Sequence, residues 1–233
     1  MATLTYVVGR SGSGKSTSIC PIQQAGIQGL NPEETIIINT DQKPLPAPGF
    51  TKLYSKEKNN YYKSNDTLEV IEQILKPAHK RENIKSIVID TWSRLQTDTV
   101  MSSRFRKRSG FDKWAEFAGA QYDLLNIIND KLRDDIIVYL FAHPETTFDD
   151  LGSPQERIAV QGQQLKKFVP ESFSSIVLYA EPSKMTGQGL KFGFRTVNSG
   201  ADTCKSPIGL FDEEFIPNDL GYVDTAIRNY YNL

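Results

Sequence analysis

The stretch Gly9-Arg10-Ser11-Gly12-Ser13-Gly14-Lys15-Ser16, followed by Thr17, stands directly behind the apolar run Leu4-Thr5-Tyr6-Val7-Val8. It meets every fixed position of the pattern G-x-x-x-x-G-K-[ST], and a Gly/Ser-rich loop without a role rarely does so behind a strand. Gly12 and Gly14 let the backbone curl so that successive N–H groups face phosphate oxygens. A helix opening near Gly14 would add its positive end. Lys15 is spaced to reach the β- and γ-phosphates, and Ser16 to place its hydroxyl on a Mg²⁺ ion, which takes few protein ligands. Residues Gly9 to Thr17 are therefore the expected cradle of a nucleoside triphosphate, with ATP and Mg²⁺ as the expected cofactors.

Composition narrows what else the chain can be. Its 233 residues contain no Pro/Gly/Ser-rich linker, so one domain spanning 1–233 is expected. Lys plus Arg (27) nearly balance Asp plus Glu (28), so any nucleic-acid site must be local rather than a global basic field. Cys20 and Cys204 lie far apart with no C-x-x-C or Cys/His cluster, which argues against a zinc site or a disulfide framework. No basic-then-apolar leader and no apolar stretch of membrane-spanning length is present, so a soluble protein of the cytoplasm, with no membrane partner, is expected.

Short β-branched runs alternate with helical patterns, the sequence form of a mostly parallel sheet covered by helices. Strands are expected at Thr3 to Val8, Thr35 to Thr40, Ser86 to Asp90, Ile136 to Ala142 and Ser175 to Ala180. A first helix should run from the glycine-rich loop to about Gln24, kinked or cut short by Pro21. A second starts at Asp66 or Thr67 and is closed by Pro77, and a third begins near Asp112. Leu190 to Val197 alternates with period two between Gly187 and Gly189 on one side and Asn198-Ser199-Gly200 on the other, as an antiparallel edge hairpin would. Val223 to Tyr231 reads as a terminal helix.

Lys85-Ser86-Ile87-Val88-Ile89-Asp90 is an apolar strand ending in a carboxylate. Beside a glycine-rich phosphate loop, Asp90 is the expected second holder of Mg²⁺ or its waters. The order of phosphate loop, one further strand, then this carboxylate, together with GRSGSGKST, IIINTDQ, SIVIDTWSRL, VYLFAHPE, KFGFRT and IPNDL, resembles the short phage RecA-like P-loop ATPases associated with single-strand annealing homologous recombination. The resemblance implies an α/β, RecA-like P-loop NTPase core that hydrolyses ATP and assembles on DNA. By the same resemblance, Asp41 would polarise the attacking water, although its shorter side chain and the Pro44 to Pro48 turn suit turn capping equally. His143, ending the fourth strand, would sense the γ-phosphate or be satisfied by local backbone. A cation from a neighbouring subunit would complete the site, with Lys184, Lys191 and Arg195 as candidates; each also reads as a solvated edge residue.

Arg94 and the segment Arg104-Phe105-Arg106-Lys107-Arg108 combine cations with aromatic faces, which is how single-stranded DNA is held. The competing reading is a solvated basic turn. The long connection from Pro144 to about Gln161 is acidic in its first half, so phosphate contacts there fall on Arg157, Gln161, Gln163, Gln164, Lys166 and Lys167. The leading expectation is a DNA-stimulated ATPase forming a homo-oligomer, ring or filament, on single-stranded DNA, with a phage annealing or single-strand-binding protein as a further partner. A P-loop kinase acting on a small acceptor, a non-hydrolysing ATP-switched DNA-binding module, and a helicase motor or loader remain alternatives.

Overall fold

Alternate side chains of each central strand are claimed by opposite faces of one sheet. Tyr6 and Val8 join an apolar cluster with Ile36, Ile38, Ile87, Ile89, Val138 and Leu140, whereas Val7 joins another with Ile37, Val88, Tyr139 and Phe141. Burial on both faces is the reason these strands read as continuous apolar runs. The computed structural model describes residues 2–184 and 190–233. In chain order its elements are β1 (Thr3–Val8), β2 (Thr35–Asn39), α1 (Phe50–Leu53), β3 (Tyr61–Lys63), α2 (Thr67–Lys80), β4 (Ser86–Asp90), α3 (Trp92–Met101), α4 (Ser103–Arg106), α5 (Asp112–Lys131), β5 (Ile137–Ala142), β6 (Pro144–Phe148), β7 (Pro154–Ile158), α6 (Gln163–Lys166), β8 (Ile176–Lys184), β9 (Leu190–Arg195), β10 (Phe215–Pro217) and α7 (Leu220–Tyr231).

The eight-stranded sheet has the order β10-β9-β8-β1-β5-β4-β2-β3. From β8 to β3 every pairing is parallel, and β9 and β10 add antiparallel strands at one end. The expected α/β class, with a mostly parallel sheet and an antiparallel hairpin, is therefore the class observed. One strand, β5, separates β1 from β4, so the phosphate loop after β1 and the carboxylate ending β4 open onto the same sheet edge. Ligands of open α/β sheets bind at that edge. No helix among the described residues is long and apolar enough to cross a membrane.

Four expectations change. The long first helix is absent: a single 3₁₀ turn at Ser16–Ser18 follows the loop, a second stands at Gln23–Ala25, and the chain then returns so that Leu30 N–H donates to Ile19 O at 2.8 Å. Pro21 accounts for this, because it lacks the N–H a helix needs and disfavours the helical region for the residue before it. In the second helix Pro77 sits inside the last turn and α2 continues to Lys80, with Asp66 capping its start through the Leu68 and Glu69 N–H groups. The connection from Pro144 to Gln161 is largely an antiparallel hairpin, β6 with β7, rather than an open loop. Finally, β9 is not the edge, since β10 pairs outside it. The expected turn glycines Gly187 and Gly189 lie outside the described residues.

Candidate nucleotide site

The loop after β1 turns on two glycines in the left-handed region, Gly12 at φ +80° and Gly14 at φ +91°. Side chains there would be strained. At Gly14 a Cβ would also stand 2.8 Å from Asn218 Nδ2 and 3.1 Å from the Phe192 Cβ, so the loop is packed directly against β9 and the start of α7. Lys15 is only 5% exposed. Its Nζ donates to Gly9 O at 2.5 Å and Arg10 O at 3.0 Å. Burial pulls its pKa down to about 8, against the attraction of Asp90 and Asp41. Because only one 3₁₀ turn follows, helix-end polarity contributes less than the sequence suggested. Attraction for a phosphate would therefore rest on Lys15 and the loop N–H groups.

Asp90 ends β4 and is 3% exposed, with Oδ1 buried and unpartnered among the described residues. Burial raises its pKa to about 6; hydrogen bonding by Ser16 and the charges of Lys15 and Lys43 oppose the rise, while Asp41 adds to it. A hydroxyl and an unpartnered carboxylate oxygen are hard oxygen donors, the set that suits Mg²⁺. Ser16 and Asp90 thus fit that ion without rearrangement of the fold. The next peptide, Asp90–Thr91, is cis, and Thr91 caps α3 by accepting from Arg94 N–H at 3.2 Å.

Asp41 lies two residues past β2, held where β2 meets β4: Thr40 and Asp41 N–H groups both donate to Asp90 O, at 2.8 and 3.2 Å. Its Oδ1 accepts from the Thr91 hydroxyl at 3.3 Å, and Lys43 Nζ stands 3.5 Å from Oδ2. His143, the first residue after β5, is half-buried and anchored through its N–H to Ser93 Oγ at 2.9 Å. Burial lowers its pKa, Lys15 and Lys43 lower it further, and Asp41 works against them. The charges of Lys15, Asp41 and Lys43 act on both Asp90 and His143. The structure therefore brings Lys15, Ser16, Asp41, Asp90 and His143 to one edge, with no sequence neighbour among them except Lys15 and Ser16.

Arg195 is not part of that group. Its guanidinium pairs with Glu181 and Asp202, each at 2.9 Å, donates to Val197 O at 2.7 Å and lies over the Tyr179 ring. These contacts hold β8, β9 and the loop at 198–202 together and weigh against its candidacy as a catalytic cation or as the finger. Arg195→Ala should therefore act on stability, costing about 3 kcal/mol by leaving the buried Asp202 unpaired. Urea melts check this, and unchanged stability with lost turnover would restore the finger. Lys184 and Lys191 belong to paired positions of β8 and β9, with side chains outside the described ones.

The expected DNA segment divides into used and unused residues. Phe105 is buried and meets Trp114 edge-on at 4.9 Å, which corrects its reading as a stacking face; Trp114 and Phe117 need it for the core. Arg94 pairs with Asp98 at 2.8 Å, and Arg108 pairs with Glu116. Arg104, Arg106 and Lys107 are exposed, and the exposed aromatic is Phe111, at 86%. Lys166 stands 3.6 Å from Glu145, while Lys167 is exposed in the same short helical segment. Arg10 reaches from the phosphate loop to Glu156 on β7 at 2.9 Å.

Sequence reading missed Ser93, Lys43, Phe192 and Asn218 as site residues. Ser93 and Lys43 were findable, each two to three residues beyond a strand-end carboxylate. Phe192 and Asn218 reach the loop from about 180 and 200 positions away, which no local pattern encodes.

No family model matches the chain, and no curated protein matches it. Among solved structures, a KaiC-like protein from the hyperthermophilic archaeon Pyrococcus horikoshii OT3 is similar over 83% of this chain and 77% of its own, with 14% sequence identity and a TM-score of 0.47.

Proposed function

We propose that residues 1–233 act as one Mg²⁺-dependent, RecA-like ATPase domain of the cytoplasm, which couples hydrolysis to assembly with further copies on single-stranded DNA in phage recombination or annealing. The observation that supports it best is the meeting of Lys15, Ser16, Asp41, Asp90 and His143 at the ends of four parallel strands. Phosphoryl transfer to water needs little covalent help and depends on positioning and charge. Ser16 and Asp90 would hold Mg²⁺, which neutralises charge on the β- and γ-phosphates. Lys15 would exchange the carbonyls of Gly9 and Arg10 for phosphate oxygens. Asp41, steadied by Thr91, would orient the water and take its proton, and His143 would contact the γ-phosphate. A cation of the next subunit, Lys184 or Lys191, would complete the charge.

Arg104, Arg106, Lys107 and Phe111 support the DNA half of this reading. If about four phosphates are neutralised with help from Lys166 and Lys167, log affinity should fall against log salt with a slope near −3 on single strands. Fluorescence anisotropy with ATP and Mg²⁺ present measures it, and salt-independent affinity, or none, would sink the DNA role. A second reading is favoured by one contact: Lys43 Nζ, 3.5 Å from Asp41 Oδ2, competes with a water for that carboxylate oxygen, as an ATP-gated module without hydrolysis would allow. Phosphate release with and without single-stranded DNA, run beside a sizing experiment, decides between them. Free phosphate matching ADP also separates an ATPase from a kinase.

A further inference from the structure

The turn that follows β2 is held in one shape by a buried side chain. Asn39, 1% exposed, accepts from the Gln42 N–H at 2.7 Å through Oδ1. Its Nδ2 donates to Lys43 O and to the Tyr61 hydroxyl, both at 2.6 Å. Gln42 is thereby kept at φ +58°, a left-handed conformation that few residues other than glycine adopt. Strain of this kind persists where surrounding contacts over-determine it, and it gathers at sites with a task. What the turn presents is Lys43, its side chain 75% exposed and its Nζ 3.5 Å from Asp41 Oδ2.

Each oxygen of Asp41 therefore has a partner, the Thr91 hydroxyl on Oδ1 and Lys43 on Oδ2. Lys43 acts on more than that carboxylate: its charge opposes the rise in the Asp90 pKa and deepens the fall at His143. The order of strands says which part of a nucleotide the ammonium could meet. Outward from the strand before the phosphate loop stand β1, β5, β4 and β2. The turn is thus three strand spacings, about 14 Å, from the end of β1. Along that row come His143, then Asp90, then Asp41 with Lys43. Lys15 would reach the β- and γ-phosphates from within the loop, which leaves the γ-phosphate as the end that extends toward β2. An exposed ion pair such as that of Lys43 with Asp41 is weak, so a terminal phosphate, carrying more charge than one carboxylate, can displace it.

We propose that Lys43 is a γ-phosphate receptor supplied by the same chain: it rests on Asp41 in the free and diphosphate-bound protein and moves to the terminal phosphate of a triphosphate, uncovering Asp41 Oδ2 for a water. The inference rests on the phosphate-site reading above. A hydrogen bond to a charged group is worth about tenfold to a hundredfold in affinity, and giving up an exposed ion pair takes back several-fold at most. The test is titration calorimetry on the full chain with Mg²⁺ present, using ADP and the non-hydrolysable β,γ-imido analogue of ATP. Lys43→Ala should weaken the analogue about tenfold and leave ADP unchanged. Asn39 grips the main chain of Lys43 and not its side chain, so this variant should melt at the wild-type temperature. Lys43→Arg keeps the charge and should keep most of the wild-type preference for the analogue. Equal effects of Lys43→Ala on both ligands, no effect on either, or an Arg variant that behaves as the Ala variant overturns the inference while the phosphate site stands. Wild-type protein that binds neither ligand overturns the phosphate site and the inference with it.

Discussion

Lys15→Ala is expected to lower ATP turnover by about 10²- to 10³-fold, the usual cost of removing one preorganised donor from a developing charge, while the protein melts within a few degrees of wild type. The two halves of this expectation have one cause. Lys15 is a cation in a nearly closed site, and its pKa is drawn down to about 8 because burial outweighs the attraction of Asp90 and Asp41. Folding holds that charge at a cost that is present below pH 8 and disappears as the amine loses its proton. Its hydrogen bonds to Gly9 O and Arg10 O recover part of the cost. Replacing it with Ala removes both the burden and the bonds, so stability changes little, whereas transition-state charge loses its counterpart. Phosphate release and thermal melts on the same preparation check both halves. Retained turnover would refute the site.

What the sequence made legible follows from the range of the interactions involved. The glycine-rich loop and the strand ending in Asp90 are local patterns whose spacing is fixed by the backbone, and both stand where expected. The first helix, expected to be kinked or cut short by Pro21, is cut to a single 3₁₀ turn at Ser16–Ser18, because proline acts on its own residue and on the one before it. The strands at Tyr61–Lys63 and Phe215–Pro217 escaped notice because three residues are too few to show a period, and only pairing with β2 and β9 defines them. Arg195 read as a free edge cation because Glu181 and Asp202, its partners, stand 14 and 7 positions away in opposite directions. Phe105 read as a stacking face since the rings that enclose it, Trp114 and Phe117, belong to the next helix. Composition could identify the chemistry of each group, but only the tertiary contacts determine which groups remain available for a ligand.

Asp90→Asn should abolish turnover and yet stabilise the nucleotide-free protein. Burial, the largest influence on this carboxyl, moves its pKa from 3.8 to about 6. The folded state therefore binds the proton more tightly than the unfolded chain, and stability associated with Asp90 is fully present below pH 4 and lost as pH rises through about 6. At pH 8 the ionised side chain costs on the order of 3 kcal/mol, from about two units at 1.36 kcal/mol each. Asn carries no charge, so the variant should melt higher than wild type at pH 8, by less at pH 5, and equally at pH 3.5. A wild-type advantage that is the same at every pH would show Asp90 to be structural and refute this account. The order should reverse with Mg²⁺ and ATP in excess over their dissociation constants. Ligand binding stabilises only the protein that can bind, by about 2.7 kcal/mol at a hundredfold excess, and the variant lacks the carboxylate proposed to hold the ion. A charge that weakens the free protein and strengthens the loaded one is what a site kept for function requires. Melting curves with and without Mg²⁺-ATP across pH 3.5 to 8 thus test the fold's burden and the site's purpose at the same residue.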